Sequence, residues 1–364
     1  MRVLHFVTGG FSGATQVAVD LCLATLGTSD QALLVLRRKR NTDAARVQAL
    51  RDQGLDVRVV PGWSHLATVL ALRKIALEWH PDILVAHGFS DHLWGRYAGI
   101  LAGVPHMVHI EHNARERYTA ARMAQARWLN QRTDAIVGVS EGVRNALLSY
   151  SFPPGKCFAI NNGVDLQRFP IAQQVPWSKR EPAIVMAARF ARQKDHACLI
   201  QALALLRDQH GLTPTLYLAG GGKKRVLQQC RQLVNKLGLQ QQVQFLGHVP
   251  DLPQLLMRTQ INVLATHFEG MPLSLVEGMV AGCACIGSNV IGVQQAVQHG
   301  KTGLLVPESD SQALSDALKQ LLTQPAYAQQ LANAGQEQAR KTFARTRMQA
   351  DYRTLFARIM QASD

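Results

Sequence analysis

Short, continuously apolar runs alternate with amphipathic segments along most of this 364-residue chain, and that alternation admits few folds. A strand that is apolar on every side chain is buried on both faces, and such strands separated by helices build parallel sheets covered on each side. The first half carries strands near Val3–Thr8, Ala32–Leu36, Val57–Val60, Ile83–Ala86, Met107–Ile110 and Ala135–Val139. Helical patterns near Ala14–Leu26, Asp43–Gln53, Leu66–Trp79, His92–Ala102 and Arg115–Arg132 fall between and after them. This half reads as Rossmann-like. Pro153, Pro154, Pro170, Pro176 and Pro182 then punctuate a stretch without sustained periodicity, which reads as an interdomain linker around Pro170. Alternation restarts with strands near Ala183–Ala187, Thr215–Ala219, Val243–Leu246, Ile261–Ala265, Ala284–Gly287 and Gly303–Val306. Helices are expected near Ala197–Gln209, Lys223–Leu237, Leu252–Arg258, Pro272–Ala281 and Ser311–Leu322, so a second Rossmann-like half follows. From Tyr327 to Met360 the chain reads as helical throughout.

Composition excludes several classes. With 47% hydrophobic and 18% charged residues the chain is globular, not disordered. No apolar run approaches the ~18 residues of a transmembrane helix. The apolar segment at Met1–Gly10 is too short for a secretory signal and reads as a first strand ending in a glycine turn, so the cytoplasm is the expected compartment. Formal charge is +14, which attracts polyanions such as nucleic acid, acidic phospholipid or anionic nucleotides. The cations are dispersed and no nucleic-acid module accompanies them, so nucleic acid is not an expected partner. The densest cluster, Arg37-Arg38-Lys39-Arg40, reads as an exposed loop that could also meet an anionic membrane leaflet. Six scattered cysteines suit a reducing compartment, and Cys283-Ala284-Cys285 lacks a second pair at zinc spacing, so it reads as part of a buried strand.

The richest stretch runs from Phe268 to Met279. An apolar strand leads into a loop carrying Glu269, and Pro272 suits the first position of a helix that stops near Gly282. A helix start exposes unpaired N–H groups and the positive end of the dipole, an anion site suited to a diphosphate. At ~1.5 Å rise per residue Glu277 lies roughly 7 Å further along, where a carboxylate can accept from both hydroxyls of an attached ribose. Glu269, before the helix, can reach what the diphosphate carries outward. Two glutamates at this spacing could equally be solvated surface carboxylates.

Other stretches bear on the same question. Thr8–Thr15 joins the first strand to the first helix and holds Gly9, Gly10 and Gly13; its G-x-x-G spacing is not the dinucleotide fingerprint, so it reads either as a ligand loop or as a plain turn. Arg189 and Lys194 follow the strand Ala183–Ala187, at the end where parallel sheets bind ligands, and could neutralise a diphosphate or be surface charges, with Arg192 exposed. His109 and His112 could be core residues or metal ligands, but no third ligand follows at a known zinc spacing. Ser140 suits a helix cap.

The Glu269–Glu277 stretch resembles the E-x7-E motif of family 4 retaining glycosyltransferases, and the resemblance extends over nearly the whole chain. It implies a GT-B fold in the α/β class, two Rossmann-like domains facing a central cleft. The boundaries that follow are an acceptor-binding domain at 1–168, a nucleotide-sugar-binding domain at 169–343, and a C-terminal helix at 344–364 crossing back to the first domain. Residue by residue it implies that Glu277 holds the ribose. Arg189 and Lys194, similar to the family's R-x4-K pair, hold the diphosphate, with N–H groups near Met271, Leu273 and Ser274. Glu269 and His112 orient the sugar; His112 matches the family histidine better than His109 because strand alternation leaves it at the tip. Gly10 and Gly13 lie in the loop over the donor phosphates, and Gly221 in Ala219–Gly222, with Gly247-His248-Val249, resembles loops around the base. Ile160–Asp165 resembles the family's N-G-[VI]-D at the domain join, where Asp165 could cap or brace. Around Gly292-Val293-Gln294-Gln295 this chain has Gln where many members carry Glu, which alters local electrostatics only.

The activity implied is metal-independent, cofactor-free transfer of a hexose, with retention, from a nucleotide-sugar, a UDP-sugar being favoured, to a hydroxyl of a glycan or lipid-linked acceptor. Bacterial envelope polysaccharide or lipopolysaccharide synthesis and contact with the inner face of the cytoplasmic membrane are expected by the same resemblance. Three rivals remain at this level: a nucleotide-sugar epimerase of the same fold, a basic nucleic-acid-binding protein, and a catalytically silent sugar-nucleotide binder.

Overall fold

The computed structural model describes residues 1–40, 42–88, 91–115 and 118–362. Two compact units divide them, one comprising Met1–Gly163 with Arg345–Asp364 and the other Val164–Ala344.

The first unit holds β1 (Arg2–Thr8), α1 (Gly13–Leu23), β2 (Gln31–Arg37), α2 (Ala44–Asp52), β3 (Asp56–Val60), α3 (His65–Trp79), β4 (Ile83–His87) and α4 (Asp91–Ala102). It continues with β5 (His106–Glu111), α5 (Ala120–Asn130), β6 (Ala135–Gly138), α6 (Glu141–Ser149) and β7 (Cys157–Ala159). Its seven strands are all parallel, in the order β3-β2-β1-β4-β5-β6-β7. Along β2, Leu33 and Val35 enter one core with Phe6, Leu72 and Trp79, while Leu34 and Leu36 enter another with Val19, Cys22 and Val47. That two-sided burial is the physical content of the apolar run, since successive side chains face opposite ways.

The second unit holds β8 (Glu181–Ala187), α7 (His196–His210), β9 (Leu216–Ala219), α8 (Lys224–Lys236), β10 (Val243–Gly247), α9 (Leu252–Arg258) and β11 (Thr259–Leu264). Then come α10 (Leu273–Val280), β12 (Ala284–Ser288), α11 (Ile291–Gln294), β13 (Leu304–Val306), α12 (Ser311–Thr323) and α13 (Pro325–Thr342). Six parallel strands run β10-β9-β8-β11-β12-β13. A last helix, α14 (Arg345–Gln361), belongs to the first unit, where Gln349 donates to the Asp20 carbonyl at 2.6 Å and Arg345 pairs with Asp20 at 3.5 Å.

Several expectations are corrected. The Pro-rich stretch is not all linker: Cys157–Ala159 pairs with β6 as a seventh strand. The units join after Gly163, ahead of 168, because Val164 donates to the Phe343 carbonyl at 2.7 Å and pairs with Ala344. The C-terminal helical run breaks at Phe343-Ala344, where that pairing takes the chain out of helix. The helix expected from Arg115 begins at Ala120, behind the Thr119 cap, and residues 116 and 117 of that expectation lie outside the described residues. Arg37 is no surface cation: it ends β2 only 4% exposed, with Nη1 donating to Asp91 at 2.6 Å and Nη2 to His65 Nδ1 at 2.9 Å. A side chain at the end of a strand can turn inward, which a run of four cations cannot reveal. The six cysteines are free and buried, and no helix among the described residues is long and apolar enough to cross a membrane.

A buried charge left without its partner costs about 3–5 kcal/mol. Arg37→Met is therefore expected to lower the stability of the first unit by that amount, measured as a fall in the urea midpoint; an unchanged midpoint would mean that Asp91 is not stranded.

Candidate functional site

In an open parallel sheet, ligands bind beyond the carboxyl ends of strands where the strand order reverses. In the second unit the reversal lies between β8 and β11. The chain leaves β8 through Ala188–Asp195 and β11 through Ala265–Pro272, so both stretches singled out by sequence emerge at that point.

The two loops are sewn together by their backbones. Asp195 N donates to the Ala265 carbonyl at 3.0 Å and His267 N to the Gln193 carbonyl at 2.9 Å, with Lys194 and Thr266 bridged as an antiparallel pair. Gln193 Nε2 donates to the Phe268 carbonyl at 2.6 Å, and Thr266 Oγ1 donates to Glu269 Oε1 at 2.8 Å. Within this frame Lys194 Nζ donates to the same carboxylate oxygen of Glu269, which is 7% exposed. Lys194 and Glu269 thus form one enclosed pair, in which the carboxylate neutralises the ammonium. Arg189 is exposed, and no ion pair engages it among the described residues. Arg192 is exposed as well.

Helix α10 opens at Leu273, one residue later than expected, with Pro272 in the capping position and offering no side-chain cap. Proline has no N–H of its own, Leu273 N donates to the Met271 carbonyl at 3.0 Å, and Leu275 N and Val276 N both donate to the Pro272 carbonyl, at 2.9 and 3.0 Å, so the positive end of the helix dipole is what this turn presents. Leu275, Val276, Gly278, Met279 and Val280 are buried, whereas Leu273, Ser274 and Glu277 are only half-buried. Leu273 and Ser274 lie four and three positions before Glu277, so each neighbours it on the helix surface, and the open surface of the helix runs from its first turn to Glu277. Two glycines make room for close neighbours: a Cβ on Gly278 would stand 2.6 Å from the Asn262 side-chain Cγ in β11, and one on Gly292 2.4 Å from the Glu269 carbonyl. Met271 is buried. Glu277 Oε1 accepts from Arg168 Nη1 at 3.0 Å. Burial raises the Glu277 carboxyl above its usual range, and the Arg168 guanidinium opposes that rise. Sequence reasoning stopped at Asp165, which caps the turn Leu166–Arg168, and missed Arg168 three residues on.

Beside β9, the loop Gly220–Gly222 follows a different logic at each position. Gly220 and Gly222 have φ of +147° and +144° and press on the backbones of Ala188 and Phe190, whereas a Cβ on Gly221 would meet open space. Gly221 is the member of the trio that a ligand can approach.

In the first unit the reversal lies between β1 and β4. The loop after β1 carries Gly10, half-buried, and Gly13, which is exposed and begins α1. Thr15 Oγ1 donates to the Thr8 carbonyl at 2.9 Å and accepts from Ser12 N at 3.1 Å, which closes the turn. Ser140 caps α6 through Val143 N at 3.2 Å.

His109 is enclosed, stacked on His92 with ring centroids 4.0 Å apart. His112 lies just past the end of β5, half-buried, in a turn held by Glu111, whose Oε1 accepts from His112 N at 2.8 Å and Asn113 N at 3.2 Å. Behind His112 runs a chain that sequence did not anticipate: His87 Nδ1 stands 3.3 Å from His112 Nε2, and His87 Nε2 stands 3.1 Å from His5 Nδ1. The residues come from β1, from β4 and from just past the end of β5, so only the adjacency of those strands in the sheet joins them. Burial lowers the pKa of His5 and of His112 to about 3 and that of His87 well below its usual value, so all three rings are neutral near pH 7. A neutral imidazole has one donor and one acceptor nitrogen, so His87 must donate to one neighbour and accept from the other.

Donor atoms of His92, His109 and Glu111 lie within 4.8 Å of one another, a spacing a cation could use. The Arg96 guanidinium already stands there, fully buried, with Nη2 2.7 Å from His92 Nδ1. A second cation would meet its repulsion in a low-dielectric setting, so a structural role for this cluster is the better fit.

The expected site residues therefore fall into two groups. Lys194, Glu269, Arg189, Gly221, Met271, Leu273, Ser274 and Glu277 belong to the second unit; Gly10, Gly13 and His112 belong to the first.

Three comparisons bear on this arrangement. The family description "Glycosyltransferase Family 4" matches residues 11–168 and "Glycosyl transferases group 1" matches residues 167–338. The chain is 29% identical over 302 residues to a glycogen synthase of Mycobacterium tuberculosis, covering 78% of this chain and 70% of that one. It is 25% identical over 268 residues to the UDP-Gal:alpha-D-GlcNAc-diphosphoundecaprenol alpha-1,3-galactosyltransferase of Escherichia coli, covering 70% and 69%. Its fold is similar to the crystal structure of HepE from Anabaena in complex with UDP-glucose, with a TM-score of 0.86 at 21% identity over 98% of this chain and 99% of that one.

A histidine whose folded pKa lies below 6.5 binds fewer protons folded than unfolded, so its contribution to stability is lost as pH falls through 6.5 and levels off near the folded value. For His5 that window runs from 6.5 to about 3. His5→Gln is expected to make the stability of the first unit fall less steeply across it in urea titrations, and an unaltered slope would assign the acid sensitivity elsewhere.

Proposed function

The chain belongs to glycosyltransferase family 4, and from that footing we propose that it moves a sugar from a nucleoside diphosphate donor to a hydroxyl of a glycan or lipid-linked acceptor, retaining the anomeric configuration and using no metal ion. The supporting observation is the half-buried surface of α10, on which Leu273 and Ser274 both neighbour Glu277, with the Lys194–Glu269 pair on the loop that leads into the helix. The positive end of the helix dipole at the start of that surface suits the diphosphate, and the Glu277 carboxylate further along suits the ribose hydroxyls.

Arg189 and Lys194 supply the positive charge that a departing diphosphate needs, which removes the need for a cation on the phosphates. Lys194 is held by Glu269 in the free protein. Phosphate oxygens arriving at Lys194 would share its three donors with Glu269, whose carboxylate then turns its second oxygen to a sugar hydroxyl. His112 would orient the sugar, held in one tautomer through His87 and His5. Same-face displacement assisted by the leaving diphosphate accounts for retention without an enzyme nucleophile. A UDP-sugar is favoured because similar proteins are described with UDP-galactose and UDP-glucose. The E. coli relative's diphosphoundecaprenol acceptor favours envelope glycan synthesis at the cytoplasmic face of a membrane.

A thermal-shift panel of UDP, GDP, ADP and CMP tests the reading. A nucleotide at ~100 times its Kd adds about 2.7 kcal/mol to the folded state. Stabilisation by UDP that is lost in Glu277→Ala is expected; stabilisation by no nucleotide, or one indifferent to the substitution, overturns the ribose contact. Removing a charge that acts on the leaving group costs about 10²–10³ in kcat. Lys194→Met is expected to show that loss in donor turnover, with nucleotide stabilisation retained in part, and a loss below tenfold would remove Lys194 from the chemistry.

A further inference from the structure

Helix α3 buries Thr68, Val69, Leu72, Ala76 and Trp79 against the first sheet. Its outer side should be polar on a water-facing helix. Instead Leu66, Leu70 and Leu77 are 66%, 53% and 40% exposed, and Trp63, just before the helix, is 84% exposed. Residues 66, 70, 73 and 77 are spaced by four, three and four, so they form one line along the helix with Arg73 between the leucines. Arg73 Nε donates to the Leu101 carbonyl at 3.0 Å, which brings Leu101, 55% exposed, to the edge of the same line.

Cations border this apolar line. The Gly62 backbone is pressed on the turn after β2: a Cβ there would stand 1.7 Å from the Arg38 carbonyl, and Arg38 N donates to the Val60 carbonyl at 3.0 Å. The loop that carries Trp63 therefore lies on the loop that carries Arg38 and Arg40, both of which are exposed. Lys74 is 79% exposed on the helix itself. The one acidic residue of α3 is Glu78, 3.9 Å from Lys74 and 3.7 Å from Arg58.

We propose that Trp63 and the Leu66–Leu70–Leu77 line of α3, bordered by Arg38, Arg40 and Lys74, form a docking face for an anionic lipid surface. An exposed apolar line rimmed with charge marks an interaction site. Tryptophan at one end, leucines along a helix and flanking cations match the headgroup boundary of a bilayer, where the indole and aliphatic groups enter and the cations meet phosphate. A second copy fits less well, because a two-fold contact through this face would bring its cations against their own duplicates. The loops with Arg38 and Trp63 follow β2 and β3 at the carboxyl ends of the strands, the edge of this sheet that also carries Gly10 and His112. The face deepens the reading above and rests on its lipid-linked acceptor, which such docking would bring to that edge.

Co-sedimentation of the full chain with phosphatidylcholine vesicles, with and without phosphatidylglycerol, tests it. The wild type is expected to partition onto the anionic vesicles at least tenfold more than onto neutral ones, with roughly fivefold lost per cation removed. Arg38→Glu with Arg40→Glu should abolish the preference for anionic vesicles, and Trp63→Ala with Leu70→Gln should reduce partitioning at least tenfold. Equal binding to both vesicle types, or either double variant binding as the wild type does, overturns the proposal. So does a dimer in sedimentation velocity that Leu70→Gln dissolves, which would assign the face to a second copy. UDP stabilisation measured without lipid separates the two readings: vesicle binding without it leaves this face standing while the proposed transfer fails, and the reverse fails this face alone.

Discussion

A parallel strand cannot be joined to its neighbour by a tight turn, because the chain must return to the other end of the sheet before it can begin again. Every strand in both sheets obeys this constraint, and the return paths are mostly helices that cover the sheet faces. All loops leaving strand ends in one sheet therefore emerge along one edge. Ala188–Asp195, Gly220–Gly222 and Ala265–Pro272 lie far apart in the chain yet share that edge in the second unit. The first unit repeats the arrangement with the glycine turn after β1, the His87 end of β4 and the His112 end of β5.

Charge is distributed differently at the two edges. The second unit carries the Lys194 ammonium, the Arg189 guanidinium and the start of α10 on loops that leave one sheet edge, and balances the ammonium with Glu269. An enclosed ammonium without a partner would be costly, so Glu269 keeps the free protein stable and at the same time holds Lys194 in place. Glu277 is poised differently: desolvation and Arg168 pull its carboxyl in opposite directions. In the first unit the corresponding groups are neutral, since burial keeps the His5–His87–His112 chain uncharged. The second unit's edge thus carries a charged pair, whereas the histidine chain of the first unit is neutral.

Most elements were legible in the sequence. Apolar strands and helices appear within a few residues of their expected places because the short continuously apolar runs and the 3.6-residue helical period are printed directly in the pattern of side chains. The exceptions have local causes. Cys157–Ala159 is too short and too close to prolines to show a period, and the break at Phe343-Ala344 is made by pairing with Val164. Arg37 sat in a cationic run that looked uniformly solvated, although its partner Asp91 lies in a different helix.

What the sequence by itself determined is the class of fold, the loops that carry Arg189, Lys194, Glu269 and Glu277, and the helix whose start could hold an anion. Those features depend on neighbours within a few residues. Tertiary structure alone decided the strand order that sets the β8–β11 reversal beside these loops, the pairing of Lys194 with Glu269, the contact of Arg168 with Glu277, and the histidine chain drawn from β1, β4 and the end of β5. Each of those joins residues distant in the chain, and such contacts follow from how strands are ordered and packed, which no local periodicity encodes.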